Sequence, residues 1–207
     1  MELVKEQNNV SAVILAGGAN KRFNGKTKAN IQISGVRIIA RTIKVLHELF
    51  DDIIIVTNTP EDFKGYQHFT LVPDEIKHVG PLGGIHAALK VAKHDAIFVF
   101  ASDMPCISSK LVKKHIEFYT KRSCDAAIPR INDFKEPLHA IYHKRIFNKL
   151  DTFLKGADKY SIENFIKDLN VRYHNLEDLE EYRKAFININ TPEDLTCMEI
   201  YSETHFY

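Results

Sequence analysis

The chain has 207 residues, 44% of them hydrophobic, and 28 Lys and Arg against 27 Asp and Glu give a formal net charge of +1. That length suits one domain with a full core, and the near-neutral balance excludes the broad positive field that draws a protein onto nucleic acid or an anionic membrane, so neither partner is expected. Cys106, Cys124 and Cys197 lie far apart with no C-x-x-C pair, which excludes a disulfide framework and offers no zinc pattern.

The opening MELVKEQNNV carries both charge signs, and no window reaches the apolar length of a spanning helix, so a cytoplasmic protein is expected. Continuous apolar runs follow at Ala12 to Gly17, Asp52 to Asn58, Phe69 to Asp74 and Ala96 to Asp103. Such runs predict parallel strands covered on both faces. Between them Arg37 to Phe50 and Gly83 to His94 have helical spacing, and after Asp103 the segment SSKLVKKHIEFYTK predicts an amphipathic helix capped by Ser108 or Ser109. This βαβα order predicts a doubly wound, mostly parallel α/β sheet with its ligand crevice at the carboxyl ends of the strands. Further on, AAIPR, PLHAIYH and AFININ predict more strands, and TPEDL predicts a late helix with Thr191 as cap and Pro192 at its first position.

The segment LAGGANKRFNGKTK, Leu15 to Lys28, follows the first run. Its GKT triplet suggests a P-loop, but Asn20 stands where G-x-x-x-x-G-K-[ST] needs glycine, and a short strand and turn follow rather than a long helix. GGANKR also fails the G-x-G-x-x-G dinucleotide pattern. What remains is a wide strand-to-helix loop in which Gly17 and Gly18 bring backbone N–H groups close to a ligand, with Lys21, Arg22, Lys26 and Lys28 to neutralise phosphate charge. The charges alone would read as a solvated turn; the two glycines at a strand end tip the reading to ligand binding, and that supply of charge fits a triphosphate.

Asp103 ends a buried run and faces the crevice, where a carboxylate can take Mg²⁺ bound to triphosphate oxygens; capping the next helix is its alternative role. Asp74, ahead of GPLGG, is a second crevice carboxylate for ribose, base or metal, or an Asx turn. Asn58 suits a base or ribose edge but is common as a turn residue. Gly80, Gly83 and Gly84 permit a close turn into a helix whose N–H groups face the crevice. Asn188 and Asn190 alternate with Ile187 and Ile189, which in a strand would turn both amides to one side. The histidines, His86 and His139 among them, have no carboxylate partner at useful spacing and are expected to be surface or packing residues.

LAGGANKRFNGKTKANIQISG resembles the nucleotidyltransferase signature L-A-G-G-x-S-x-R-M-G-G-x-D-K-A, and the chain is most similar to the molybdenum cofactor guanylyltransferase family. The likeness extends through VPDEIKHVGPLGGIHAAL, ASDMPCI, EPLHAIYH and FININTPEDL, nearly the whole chain. It implies a Rossmann-like, GT-A-like nucleotidyltransferase fold in a single domain over residues 1–207, with about 10–105 binding nucleotide and about 106–207 binding acceptor. It also implies Lys28 and Arg22 on the phosphates, Leu15, Ala16, Gly17, Gly18, Asn58, Asp74 and Asp103 around the nucleotide, Asp103 on Mg²⁺, and Asn188 and Asn190 near the acceptor. The implied partners are GTP and molybdopterin, with a P-loop GTP-binding protein or a molybdoenzyme-specific chaperone as a further one. The chain departs from the pattern at Asn20, Phe23, Asn24 and Thr27, where Ser, Met, Gly and Asp are usual, and at Glu163, where a similar family segment often has Arg. The reaction implied joins GMP to the molybdopterin phosphate and releases pyrophosphate. A phosphate monoester with its second pKa near ~6 is already dianionic and needs no base. A cytidylyltransferase, or a transferase acting on a sugar or polyol phosphate, would use the same loop. A regulatory nucleotide-binding protein without turnover is favoured by Thr27 and Glu163 and disfavoured by Asp103, Lys28 and the asparagines.

Overall fold

The computed structural model describes residues 9–17, 27–156 and 159–205, the stretch 199–205 by its backbone alone. Gly18 and Arg22, with their neighbours through Lys26, lie outside the described residues. In chain order the elements are β1 (Val10–Leu15), a 3-10 turn (Lys28–Asn30), β2 (Gln32–Ile33), β3 (Val36–Arg37), α1 (Ile38–Leu49), β4 (Ile53–Val56), a second 3-10 turn (Pro60–Phe63) and β5 (Thr70–Val72). Then come α2 (Pro81–Val91), β6 (Ala96–Ala101), α3 (Ser109–Thr120), β7 (Ala126–Ile131), β8 (Phe134–Lys135) and β9 (His139–His143). A third 3-10 turn (Lys144–Ile146), α4 (Phe147–Gly156), α5 (Ile162–Ile166), β10 (Val171–Asn175), α6 (Glu180–Ala185) and α7 (Pro192–His205) complete the described chain.

Among the described residues the main sheet has the order β10-β7-β9-β6-β1-β4-β5, with β8 paired to β7. β6, β1, β4 and β5 pair in parallel. β9 runs antiparallel to β6 and β7. The predicted mostly parallel, doubly wound sheet is therefore present, with one reversed strand inside it. Successive strand residues point to opposite faces, and in β6 Phe98 and Phe100 face α1 and α3 while Ile97 and Val99 face α2 and α4. Burying each phenylalanine is worth about 2–3 kcal/mol, so a strand apolar at every position is stable only with both faces covered.

Ser108 is the cap of α3, its hydroxyl accepting Leu111 N at 3.3 Å. Thr191 caps α7 as predicted: its hydroxyl accepts Asp194 N at 3.2 Å, and the Asp194 carboxylate accepts Thr191 N and Asn190 N, each at 2.9 Å. Those bonds hold the Asp194 carboxyl below its usual range. AFININ is a correction, for it forms no strand: α6 runs to Ala185 and residues 187–190 are irregular. Ile189 leaves sheet pairing because it is fully buried among Ile31, Ile33 and Ile38 of the β2–β3 hairpin and the start of α1.

The buried histidines give the fold an acid limit. His115 Nε2 donates to Ala127 O at 3.0 Å, so its Nδ1 accepts from His174 Nδ1 at 2.9 Å. Burial holds His115 and His139 down to about 3, and His174 to about 4. The unfolded chain, with histidines near 6.5, binds more protons across this interval, so stability rises with pH from about 4 to 6.5 and is lost on acidification. Each group contributes about 1.4 kcal/mol per pH unit there. Glu136, raised to about 6 chiefly by burial, acts oppositely between its ordinary value and 6, and Asp74, also raised by burial, acts in the same sense above its ordinary value. Urea midpoints are expected to fall between about pH 7 and pH 5, with a smaller drop in His139→Phe; parallel drops would remove His139 from this account.

Candidate active site

Because β1, β4, β5 and β6 are parallel, their carboxyl ends share one edge of the sheet. Gly17, Asn58, Asp74 and Asp103 each stand two residues beyond their strand's last residue. They line a cleft of about 780 Å³, together with Leu15, Ala16 and Lys28.

The centre of this cleft is Lys28. Its Nζ lies 2.9 Å from Asp103 Oδ2 and 2.6 Å from Asn190 Oδ1, so two of its three N–H donors are used by described residues. Lys28 and Asp103 side chains are 20% and 21% exposed, partly screened from water yet open to a ligand. Lys28 opens a 3-10 turn whose next residue, Ala29, is fully buried, which fixes the turn and sends the longer side chain outward. Asn190 arrives from the far end of the chain on two anchors. Ile189 N donates to Asp103 O at 2.9 Å, and the buried Ile189 side chain holds the segment against the hairpin. The two asparagines take different partners: Asn190 meets Lys28, while Asn188 Nδ2 approaches Phe186 O at 3.5 Å.

Asn58 and Asp74 form one unit, with Asn58 Oδ1 accepting Asp74 N at 3.0 Å. Asp74 Oδ1 accepts Ile76 N at 3.1 Å, so the Asx turn is present while the carboxylate still lines the cleft. Burial raises the Asp74 carboxyl, against the Ile76 N–H bond and the charge of His86. Gly80, at φ 63° and ψ −150°, caps α2 in a conformation that glycine alone adopts readily. Gly83 lies against Asp74: a Cβ there would sit 2.3 Å from Asp74 Oδ1. Since the obstructing atom ends a rotatable side chain, Gly83→Ala is expected to melt within a few degrees of the parent yet bind the triphosphate expected from the sequence about tenfold more weakly, Asp74 having turned away. Calorimetry beside a melting curve checks this; unchanged affinity would take Asp74 out of the binding site.

Lys77, His78, Thr27 and Thr59 also line the cleft, and the sequence reading assigned none of them to it. Position inside the acidic-to-glycine segment was the available signal for Lys77 and His78. Glu136, of the EPLHAIYH segment, is only 6% exposed and feels the charge of Asp103. The expectation that histidines lack carboxylate partners holds along the chain but not in space: His86 Nε2 is 3.2 Å from Asp151 and its ring stacks on Phe147. His139, fully buried, packs edge-on against Phe98, Phe100 and Phe186. Both are packing residues.

Among the described residues, no cluster of three or more His, Cys, Asp or Glu side chains could hold a metal unaided. One strand-end carboxylate beside a cleft of this size instead suits a divalent cation that completes its shell with substrate phosphates and water.

The sheet order and the lysine paired to a strand-end carboxylate at its carboxyl edge fit nucleotidyl transfer, and the family match below makes the chain a nucleotidyltransferase. The chain belongs to the family of the MobA-like NTP transferase domain, whose pattern matches residues 12–173. It is 37% identical over 193 residues to the "Probable molybdenum cofactor guanylyltransferase" of Natranaerobius thermophilus, covering 90% of this chain and 93% of that one. The molybdenum cofactor guanylyltransferase of Syntrophotalea carbinolica is 35% identical over 187 residues, covering 89% and 88%. The crystal structure of molybdopterin-guanine dinucleotide biosynthesis protein A from Archaeoglobus fulgidus superposes with a TM-score of 0.81 at 26% identity, covering 94% of this chain and 99% of that one.

Proposed function

We propose that this protein transfers GMP from GTP to the phosphate of molybdopterin carrying molybdenum, forming the guanine dinucleotide cofactor and releasing pyrophosphate. The observation that carries this reading is Lys28 held between Asp103 and Asn190, a cation joining the nucleotide half of the chain to the acceptor half. Family relatives bearing the guanylyltransferase name supply the choice of base and acceptor. The nucleotide side is about 10–105 and the acceptor side about 106–207; nearly all of the cleft lining comes from the first.

In this reading Leu15, Ala16, Gly17 and Gly18 present backbone to the phosphates, with Arg22 as a second donor. Lys28 uses its remaining N–H on a phosphate oxygen and stabilises charge developing on pyrophosphate. Asn58 and Asp74 bind ribose or base, while Asn188 and Asn190 lie on the acceptor side. The family generally needs a divalent metal, and Asp103 would hold Mg²⁺, which when bound neutralises triphosphate charge. The acceptor dianion attacks the α-phosphorus without a base, so the residues act by positioning and charge. The working site is the cytoplasm; no described helix is long and apolar enough to cross a membrane. A P-loop GTP-binding protein or a molybdoenzyme chaperone would receive the product.

The test is pyrophosphate release with each of the four nucleoside triphosphates, with and without molybdopterin. Release that requires both GTP and molybdopterin is expected. Equal rates with all four nucleotides would overturn the guanylyl assignment.

A further inference from the structure

Thr27 precedes Lys28 at the position where the signature usually carries Asp. Its side chain is only 7% exposed, and its single hydroxyl proton goes to Asp62 Oδ2 at 2.7 Å. The 3.4 Å contact between Thr27 Oγ1 and Thr59 Oγ1 is therefore donated by Thr59. Thr59 Oγ1 in turn lies 3.4 Å from Thr57 Oγ1, which accepts Thr59 N at 3.1 Å. A run of hydroxyls thus links the end of β4 to the residue beside Lys28 and finishes on a carboxylate.

A second strut runs in parallel, from Asn30 Nδ2 to Asp62 O at 3.1 Å. Thr27 and Asn30 bracket the 3-10 turn that Lys28 opens, and Asn30 N donates to Thr27 O at 2.9 Å. Asp62 belongs to the Pro60–Phe63 turn, anchored by the fully buried Phe63. The turn carrying Lys28 is thereby held at both ends by one residue 34 positions away in sequence (62 − 28).

We propose that Asp62 is the positioning residue for Lys28, delivering through Thr27, from the neighbouring β4–β5 connection, the carboxylate that the signature usually places at position 27. The proposal rests on the nucleotidyl transfer reading above, since positioning is read through turnover. It explains why Thr27 stands in this chain without loss of a carboxylate: the group has moved to a second loop. It also makes the two positions interdependent. Thr27→Asp alone would press a second carboxylate, at a position only 7% exposed, against the carboxylate of the exposed Asp62, where like charges oppose each other. Thr27→Asp with Asp62→Asn would replace the hydroxyl–carboxylate contact by a carboxylate–amide one, with donor and acceptor exchanged between the two positions.

The experiment is a double-mutant cycle read by pyrophosphate release with GTP and molybdopterin, with melting temperatures and GTP affinity by calorimetry. Asp62→Ala is expected to lower kcat about tenfold while the KM for GTP moves less than about threefold, the split of a group that orients another rather than binding substrate. Thr27→Asp is expected to lose about 30-fold, and Thr27→Asp/Asp62→Asn to return to within about threefold of the parent, a coupling that independent sites do not show. If Thr27→Asp fails to fold, Asp62→Ala at its surface position decides the matter alone. Parent-like kcat in Asp62→Ala, or a folded Thr27→Asp that the second change does not rescue, overturns the proposal while leaving the transferase reading standing. A parent chain that releases no pyrophosphate with any nucleotide overturns both.

Discussion

Replacing Asp103 by alanine is expected to remove turnover while leaving the protein folded. The fold should survive because the tether from this position to Ile189 is the Asp103 carbonyl, not its carboxylate. Among the described residues the carboxylate's partner is Lys28, whose ammonium keeps Asn190 Oδ1 as an acceptor when the carboxylate is removed, so the fold loses little. A carboxylate holding a metal on the triphosphate supports several kcal/mol of charge stabilisation, so the loss is expected at roughly 10³-fold in kcat/KM. Asp103→Asn, which keeps the shape and an acceptor for Lys28, should be nearly as inactive. The measurement is pyrophosphate release across a Mg²⁺ titration beside thermal melts. An alanine variant that keeps a tenth of parent turnover at ordinary Mg²⁺ would take Asp103 out of the mechanism.

Lys28→Ala is expected to cost about 2–4 kcal/mol of transition-state stabilisation, or roughly 30- to 1000-fold in kcat, the scale of one charged donor in a water-poor site. Asn190→Ala, which removes one of the two described acceptors of the Lys28 ammonium, should cost about tenfold or less, since Asp103 still holds it. Lys26→Ala should cost little, because the GKT triplet does not sit in a P-loop context. Single-turnover rates at saturating GTP separate the three. Should Lys26 be essential and Lys28 dispensable, the GKT triplet would be the true phosphate site and the cleft at Asp103 would need another role.

Much of this cleft was legible in the residues alone. AVILAG, DIIIVTN and AIFVFASD are apolar at successive positions, which only a strand covered on both faces tolerates, and parallel strands so covered place the residues after them on one edge. Gly17, Asn58, Asp74 and Asp103 were therefore readable as neighbours before any contact was known. The caps at Ser108 and Thr191 were readable too, since a hydroxyl before an amphipathic run satisfies helix N–H groups locally.

What tertiary structure alone decided is how distant segments meet. Alternation in AFININ suggested a strand, but burial of Ile189 against the β2–β3 hairpin overrode it and brought Asn190, not Asn188, to Lys28. His86 gained Asp151, and Thr27 gained Asp62, from segments with no mark in the local pattern. The reversed strand β9 inside the sheet was likewise not foreseen. Hydrophobic periodicity records which face of a segment is buried, a property of that segment's own residues. The partner against which the face is buried is set by competition among all segments for shape and hydrogen bonds, and that competition is settled only when the chain packs.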